Sequence, residues 1–303
     1  MTLREAAEAG GYRIPLEDAE AIARALTAAG IDGLEVGYWR PQRWNGARTA
    51  ETCPPAYVRA MREAAGDALL SVFAHLRDVP EGGFDALADL GVDLVRLGVA
   101  ATNPRELIRR ATELQASGVA FAVNATRVTE QDPDRVLELG RIAEDVGASV
   151  FYIADSNGGL YPQRLVGLAQ ALQDHLSLPL GAHLHDNLSL AFANAVIAMA
   201  HGFLWIDGTV AGVGKGGGNL STERIALHLQ VTGGRPFDLA RLAALTERWG
   251  PSSPADRFWA AVHGELNLNQ DRVAALQQRP DPERRRFLAQ EFGLSFPPDA
   301  EQA

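Results

Sequence analysis

Cysteine and lysine are nearly absent from this chain of 303 residues, which contains one of each, Cys53 and Lys215. A single cysteine excludes an intramolecular disulfide framework and any cysteine-rich zinc or iron–sulfur site. A single lysine leaves one candidate nucleophile for any Schiff-base mechanism. Arginine supplies nearly all of the positive charge, a composition typical of a GC-rich genome.

Positive charge and long apolar segments are also scarce. The formal net charge is −10 and the pI is near 5.2, which argues against nucleic acid and anionic membrane as partners, because both bind basic surfaces. No segment reaches the ~20 apolar residues of a membrane span, and the first residues lack the apolar core of a signal peptide. We therefore expect a cytoplasmic protein.

Short apolar runs alternate with longer amphipathic runs from residue 1 to about residue 232. Continuous apolar runs bounded by Gly, Asp or Asn are typical of parallel strands buried on both faces. They predict strands at Gly33–Tyr38, Leu69–His75, Leu94–Val99, Val119–Asn124, Ser149–Asp155, Pro179–Leu184 and Phe203–Asp207, with a short additional strand at Met1–Arg4. The amphipathic runs predict helices at Leu16–Ala29, Pro104–Ser117, Pro133–Val146, Pro162–Leu176 and Ser221–Leu229.

Eight strands in βα repeats predict an α/β protein with a (β/α)8 TIM barrel, and an open doubly wound sheet is the alternative. We assign residues 1–232 to a catalytic barrel domain. The strand pattern then stops, and residues 233–303 are predicted to form a C-terminal helical region. It contains three or four helices over residues 237–293 and a frayed tail at Pro297–Ala303.

Polar residues at strand ends are the first candidates for chemistry, because the active sites of parallel barrels lie there. His183 and His185 are two residues apart on one strand, so their side chains leave the same face. Two converging imidazoles suit a divalent metal; a pair of hydrogen-bonded structural histidines is the alternative. Glu5, at the end of the predicted first strand, is the expected third ligand, although it could instead form an ion pair with Arg4.

A glycine-rich loop, Gly212–Gly217, matches the letters of a dinucleotide fingerprint but follows the last strand, where that fingerprint does not occur. It is not a phosphate-binding P-loop either, because Gly216 follows Lys215 in place of Ser or Thr. We expect the loop to let the backbone approach a ligand closely, with Asn219 beginning the next helix. Asp186 and Asn187 are expected to orient the two histidines.

Four segments together resemble the DRE-TIM metallolyase superfamily, which includes 4-hydroxy-2-oxovalerate aldolase, hydroxymethylglutaryl-CoA lyase, isopropylmalate synthase and homocitrate synthase. They are Thr2–Glu5, Leu34–Gly37, His183–Asn187 and Gly212–Glu223. The resemblance covers residues 1–232 in the right order. Two further segments, Gly37–Pro41 and Val262–Asn269, favour the 4-hydroxy-2-oxovalerate aldolase-like branch.

The resemblance implies a role for each matching residue. Arg4 corresponds to the arginine that stabilises an enolate oxygen, and Glu5 to the acidic metal ligand. His183 and His185 correspond to the two histidine ligands, and Asn219 to an asparagine that binds the metal in the lyase branch. The expected cofactor is a divalent metal, Mn²⁺ or Mg²⁺, with Zn²⁺ and Co²⁺ as alternatives.

The first segment also departs from the family pattern. The family has an Asp two residues before Thr-Leu-Arg, whereas here only Met1 precedes Thr2. Either the predicted first strand is shortened, or the first residue of the chain has been assigned too far downstream. Ala6 replaces a glycine, and Glu8 stands where relatives carry His or Gln. The candidate general bases are therefore Glu8, His75 and Tyr38.

Substrate contacts are expected from other strand-end side chains. Arg96 and Arg127 are predicted to hold a substrate carboxylate, because guanidinium groups bind carboxylates in a bidentate manner. Glu35 and Asp155 are also assigned to substrate binding.

The leading functional hypothesis is a metal-dependent aldolase-type carbon–carbon lyase acting on a small 2-oxo acid. The alternatives are a Claisen-type acyl transferase that uses acetyl-CoA, a diverged metal-free subunit that binds a partner enzyme, and a lysine-dependent aldolase using Lys215. We further expect a homo-oligomer formed through the C-terminal helices, with a dehydrogenase as a candidate partner.

Overall fold

The computed structural model describes residues 1–8, 14–47, 49–99, 104–247, 263 and 266–292. Seven parallel strands form one sheet in chain order. They are β1 Gly33–Tyr38, β2 Leu69–His75, β3 Leu94–Val99, β4 Ala120–Ala125, β5 Val150–Asp155, β6 Leu180–Leu184 and β7 Trp205–Ile206. The predicted bounds of β1 to β3 are confirmed, those of β4 to β6 differ by one residue, and β7 is shorter than predicted.

Helices precede, connect and follow the strands. They are α1 Thr2–Glu8, α2 Leu16–Ala28, α3 Pro55–Ala65, α4 Pro104–Ser117, α5 Pro133–Asp145, α6 Pro162–His175, α7 Ala191–Ala200, α8 Thr222–Gly233, α9 Leu239–Thr246, α10 Gln270–Gln277 and α11 Asp281–Phe292. Proline stands in the first turn of α3, α5 and α6, where its missing N–H costs nothing and its fixed φ favours the helix.

The predicted strand at Met1–Arg4 is wrong, because this segment belongs to helix α1. The N–H of Glu5 donates to the carbonyl of Met1 at 3.1 Å, as in a helical turn. Leu, Arg, Glu and Ala are all good helix formers, and no β-branched residue follows Thr2 in this segment. Leu3 packs into the core, while Arg4 and Glu5 are buried on the side facing the sheet interior.

The sheet curls toward closure, as two contacts across its interior demonstrate. Arg96 on β3 contacts Asp207, which follows β7, at 2.7 Å, and Thr2 accepts the N–H of Val210 at 3.0 Å. In the described part of the chain, however, no strand pairing joins β1 to β7. The fold is therefore an α/β barrel-like sheet of seven strands, and the predicted eighth strand is replaced by α1.

The main hydrophobic core lies between the strands and the surrounding helices. Outward-facing strand residues such as Val36, Val72 and Val95 are fully buried there. A smaller hydrophobic cluster lies inside the curled sheet and is formed by Leu94, Ala122, Val150 and Tyr152. Packing on both faces explains why the strands carry continuous apolar runs.

The described part of the C-terminal region comprises α9, α10, α11 and the segment before α10. Asn267 joins it to the sheet end: its side chain donates to the carbonyl of Thr129 at 2.9 Å and accepts from Asn157 at 3.0 Å. Residues 262, 264 and 265 of the segment Val262–Asn269 and the whole tail at Pro297–Ala303 lie outside the described residues. The domain boundary and the self-association through these helices stay predictions. Within the described residues, no helix is both long enough and apolar enough to span a membrane.

Candidate metal centre

A cavity of about 410 Å³ opens at the carboxyl ends of the strands. This is the end at which barrel enzymes carry their catalytic side chains. Eight of the predicted site residues line it: Arg4, Glu5, Glu8, Tyr38, His75, Arg127, His183 and His185. The curl of the sheet thus brings together residues that are up to 181 positions apart in the chain, from Arg4 to His185.

Three of these side chains form a candidate metal site. One ligand atom from each of Glu5, His183 and His185 lies within 4.8 Å of the others, and all three residues are buried. The two imidazoles sit at the end of β6, with ring centroids 5.1 Å apart. Burial lowers the pKa of His185 to about 4, so its ring is neutral at neutral pH, the form that binds a metal.

Asn219 lies beside this site, although it does not line the cavity. A β-bridge to His185 brings it to the site, and its amide nitrogen donates to Oε2 of Glu5 at 3.1 Å and to the carbonyl of Val213 at 2.9 Å. Its Oδ1 and the Nδ1 of His185 are both buried, and neither has a hydrogen-bond partner among the described residues. Buried atoms with free lone pairs are costly unless they bind something, so the donor set fits a divalent cation. Asn219 precedes α8 instead of beginning it.

Arg4 connects this site to a buried network of charges. Its guanidinium lies 2.6 Å from Oε1 of Glu5, 2.5 Å from Oε1 of Glu35 and 3.4 Å from Nε2 of His183. Burial alone would raise the pKa of Glu5, but Arg4 and the two histidines together hold it well below its usual range. Glu5 therefore forms the ion pair with Arg4 and also faces the two histidines, and its role as a metal ligand stays a prediction.

Asp207 and Arg96 complete the network beneath the histidines. The Asp207 carboxylate binds Arg96 through two hydrogen bonds, of 3.1 and 2.7 Å, and its Oδ2 lies 3.3 Å from Nδ1 of His183. Arg96 also lies 3.1 Å from Glu35. Neither Arg96 nor Glu35 lines the cavity. Their predicted substrate contacts are thus not supported, because Arg96 pairs with both Glu35 and Asp207 inside the barrel.

A second group of polar side chains lies at the cavity mouth. The Tyr38 hydroxyl donates to Oε2 of Glu8, and the Nζ of Lys215 lies 2.6 Å from Oε1 of the same carboxylate. Arg4 donates to the Tyr38 oxygen at 3.3 Å. The ring of His75 stacks on Tyr38 with centroids 5.9 Å apart, and burial lowers its pKa to about 4. All three candidate bases therefore lie together.

The remaining two predicted substrate residues differ in position. Arg127 lines the cavity from a left-handed backbone conformation, with φ of 57°, and its guanidinium lies 3.2 Å from Asp271. Asp155 does not line the cavity. Its two carboxylate oxygens accept the backbone N–H groups of Gly159 and Leu160, at 3.1 and 3.0 Å. Its predicted contact with substrate is thus not supported, because both oxygens are held by the loop after β5.

The sequence analysis gives no role to Asp207 or Asp271, and it considers Lys215 only as the nucleophile of a lysine-dependent aldolase. Asp207 is a polar residue at a strand end, which is the one signal that pointed to it. The expectation for Asn187 changes, because it accepts the N–H of Gly217 at 2.7 Å and thus fixes the glycine-rich loop. Asp186 accepts the N–H of Ala191 at 2.8 Å, at the start of α7.

A barrel-like parallel sheet with a Glu/His/His site and a buried arginine beside it defines a class of α/β proteins with a candidate metal centre. The HMGL-like family model matches residues 88–247, more than half of the chain. The chain belongs to the HMGL-like family. This membership confirms the resemblance to the DRE-TIM metallolyases.

Curated relatives and solved structures agree with this assignment. The chain is 31% identical to a 4-hydroxy-2-oxovalerate aldolase of Brevibacillus brevis over 74% of this chain and 66% of the relative. It is 28% identical to an oxaloacetate decarboxylase of Mycobacterium tuberculosis over 97% of this chain and 86% of the relative. The crystal structure of hydroxymethylglutaryl-CoA lyase from Pseudomonas aeruginosa superimposes with a TM-score of 0.69 at 19% identity, covering 92% of this chain and 96% of that one. The chain thus spans about two thirds of the length of the Brevibacillus aldolase.

Proposed function

We propose that this chain is a divalent-metal-dependent, aldolase-type lyase that breaks a carbon–carbon bond of a small 2-oxo acid. One observation carries the proposal: the ligand atoms of Glu5, His183 and His185 converge within 4.8 Å of one another, directly beside the Arg4 guanidinium. The curated relatives named as a 4-hydroxy-2-oxovalerate aldolase and an oxaloacetate decarboxylase support a lyase acting on such acids.

Glu5, His183 and His185 would hold the metal, with Oδ1 of Asn219 as a further donor. When bound, the cation would act as a Lewis acid toward the 2-oxo group. Two imidazole nitrogens with carboxylate and amide oxygens suit Mn²⁺, with Mg²⁺, Zn²⁺ and Co²⁺ as alternatives.

Arg4 is placed to stabilise the charge that develops during cleavage. Breaking the bond beside a carbonyl moves an electron pair toward the 2-oxo oxygen and produces an enolate. A fixed guanidinium in a buried site stabilises such an oxygen without having to reorganise. Its contacts with Glu5, Glu35 and Tyr38 fix it before substrate binds.

Glu8 is the proposed general base. It would take the proton of the 4-hydroxyl group as the bond between C3 and C4 breaks. The aldehyde then leaves, and the enolate is protonated at C3. The Tyr38 hydroxyl and Lys215 both contact the Glu8 carboxylate and orient it. His75 and Tyr38 are the alternative bases at the same place.

Decarboxylation of a 2-oxo dicarboxylic acid is the second candidate. It is favoured by the Mycobacterium relative, which this chain matches over nearly its whole length. The two reactions share the enolate and differ in their second product, which is an aldehyde in one case and carbon dioxide in the other.

The test is cleavage of 4-hydroxy-2-oxo acids, monocarboxylic and dicarboxylic, by the purified protein, measured as the pyruvate and the aldehyde released. We expect EDTA to abolish product formation and Mn²⁺ or Mg²⁺ to restore it. The variant His185→Ala should lose both the bound metal and the activity. His201→Ala, at the end of α7 and outside the cavity, is the matched control and should retain both. Full activity in excess EDTA would refute the metal-dependent mechanism.

A further inference from the structure

Lys215 stands on a rigid loop at the mouth of the cavity. The backbone around it is fixed by Asn187, whose Oδ1 accepts the N–H of Gly217 at 2.7 Å. The N–H of Gly218 donates to the carbonyl of Lys215 itself at 2.9 Å. A Cβ at Gly216 would lie 2.6 Å from the same Asn187 oxygen, and φ there is +58°, so only glycine fits. The loop therefore holds the backbone of Lys215 in a defined position at the mouth of the cavity.

The ammonium group of Lys215 has capacity for a further partner. Its Nζ lies 2.6 Å from Glu8, the one ionic partner that the described residues give it, and the side chain is 22% exposed. An ammonium carries three N–H donors, so donors remain available toward the cavity. Contacts through Glu8 and Tyr38 connect Lys215 to Arg4. The two cations are thus within reach of a single small substrate.

The residue type at this position differs from every other basic position of the chain. All of the other basic side chains are arginines, and Lys215 is the only lysine. An arginine fork matches a carboxylate in one plane, whereas an ammonium is a compact charge on a flexible stem that can share itself between two carboxylates. The composition of the chain alone would predict arginine at this position. A lysine here fits a position at which one positive charge contacts two carboxylates.

The charge of the cavity also favours an anionic ligand. Among the described lining residues, four cationic side chains face three carboxylates. A divalent cation at Glu5, His183 and His185 would add two further positive charges. Such a cavity stabilises a ligand with more than one negative charge better than a singly charged one.

We propose that Lys215 binds the second carboxylate of a dicarboxylic 2-oxo acid, whose 2-oxo end lies at Arg4 and Glu5. The inference rests on the proposed function and specifies its substrate class. Glu8 neutralises the ammonium when no substrate is present. When substrate binds, its distal carboxylate accepts hydrogen bonds from the N–H groups that Glu8 does not use.

The first test measures acylation of Lys215 by an amine-selective ester on the metal-loaded protein. The modified site is unambiguous, because the peptide that contains it holds the only lysine of the chain. The probes are 2-oxoglutarate and 2-oxopentanoate, which have the same carbon chain and differ by the distal carboxylate. We expect saturating 2-oxoglutarate to slow acylation severalfold and 2-oxopentanoate to leave it nearly unchanged. Equal protection by both acids, or by neither, would overturn the proposal.

The second test compares the affinities of variants for the same two acids by calorimetry. In Lys215→Gln we expect the preference for 2-oxoglutarate over 2-oxopentanoate to fall about tenfold, because one hydrogen-bonded charge pair is lost. Lys215→Arg should recover only part of this preference, because its planar fork cannot donate to Glu8 and to the substrate at once as the ammonium does. Arg77→Gln is the matched control, since it removes a positive charge from an 85% exposed side chain at the same cavity. An equal loss in Arg77→Gln would attribute the preference to general charge and contradict a specific contact.

Failure of this inference and failure of the proposed function give different results. Without metal-dependent cleavage but with selective protection by 2-oxoglutarate, Lys215 still recognises a dicarboxylate and the reaction class is wrong. With metal-dependent cleavage but equal protection by both acids, the reaction class stands and Lys215 only holds Glu8.

Discussion

Asp207 holds the imidazole of His183 from the side opposite to Glu5. Its Oδ2 lies 3.3 Å from Nδ1 of His183, while Nε2 of the same ring lies 3.5 Å from Glu5. A carboxylate that accepts from Nδ1–H leaves the lone pair of Nε2 facing the metal site. Arg96 in turn fixes Asp207 through two hydrogen bonds. The orientation of this candidate ligand is therefore set by residues that do not line the cavity.

We predict that Asp207→Asn weakens metal binding by about 10- to 100-fold, the usual effect of losing the partner of a histidine ligand. The physical reason is that an amide no longer fixes the tautomer and the ring angle of His183. Calorimetric titration of the metal-free protein with Mn²⁺ measures the change. Asp89→Asn, an exposed acid outside the site, is the control. A folded Asp207→Asn protein with wild-type affinity would contradict the positioning role.

Arg4→Lys tests whether the positive charge of Arg4 alone is sufficient for catalysis. The guanidinium contacts Glu35, Glu5 and Tyr38 at once, and a lysine ammonium cannot reproduce that fork. We expect kcat/KM to fall on the order of 100-fold, as when a donor to a developing oxyanion is removed. Metal affinity should change much less. Arg24→Lys, on the exposed face of α2, should leave both quantities unaltered; an equal loss there, or no loss in Arg4→Lys, would disprove the assignment.

Much of the barrel could be predicted from the sequence, because its strands are buried on both faces. Continuous apolar runs gave β1, β2 and β3 their observed bounds. The segment Met1–Arg4 could not be assigned correctly in this way. It was given a strand to complete the count of eight, although its Leu, Arg, Glu and Ala residues favour the helix that is observed.

The candidate metal site was also accessible, because His183 and His185 are two residues apart at the end of one strand and period 2 places them on one face. The partners of these residues could not be predicted from the sequence. Asp207 meets His183, and Lys215 meets Glu8, only because the sheet curls and the glycine-rich loop folds over its end. Contacts of this kind depend on register and curvature, which local patterns do not encode. For the same reason Arg96 and Glu35 were assigned to the substrate, although they pair with each other inside the barrel.

Gly217→Ala tests whether the packing of the glycine-rich loop matters. A Cβ there would lie 2.7 Å from the Cα of Asn187 and 2.7 Å from the carbonyl oxygen of Asp186, so the backbone must shift. We expect a loss of about 1–3 kcal/mol in the free energy of unfolding, typical of overpacking. Urea denaturation measures it.

The matched control is Gly167→Ala in α6, where a Cβ meets nothing within 4 Å. This substitution should stabilise the protein by about 0.5–1 kcal/mol, because alanine loses less backbone entropy than glycine in a helix. Equal effects of the two substitutions would show that the contact with Asn187 is unimportant.

The buried imidazole of His75 is expected to make the stability of the protein depend on pH. Burial lowers its pKa from 6.5 to about 4, with a smaller opposing effect of Asp78. Between these values the unfolded chain binds a proton that the folded protein does not, so stability rises with pH. The contribution of the neutral ring is complete above pH 6.5 and is lost as the pH falls toward 4. The pKa difference limits the contribution of His75 to the free energy of unfolding to about 3 kcal/mol, and solvent screening at the partly exposed ring reduces it further.

His75→Phe removes this titration and keeps an aromatic ring against Tyr38 and Phe73, which the imidazole contacts with centroids 5.9 and 5.1 Å away. We expect the stability of the wild-type protein relative to this variant to decrease steadily from pH 6.5 to pH 4 in urea denaturation at constant ionic strength. His75→Gln, which lacks both the ring and the titration, should give the same slope with a different offset, because only the offset reports the ring contacts. A difference that stays constant with pH for both variants would mean that the folded protein does not disfavour protonation of His75 relative to the unfolded chain.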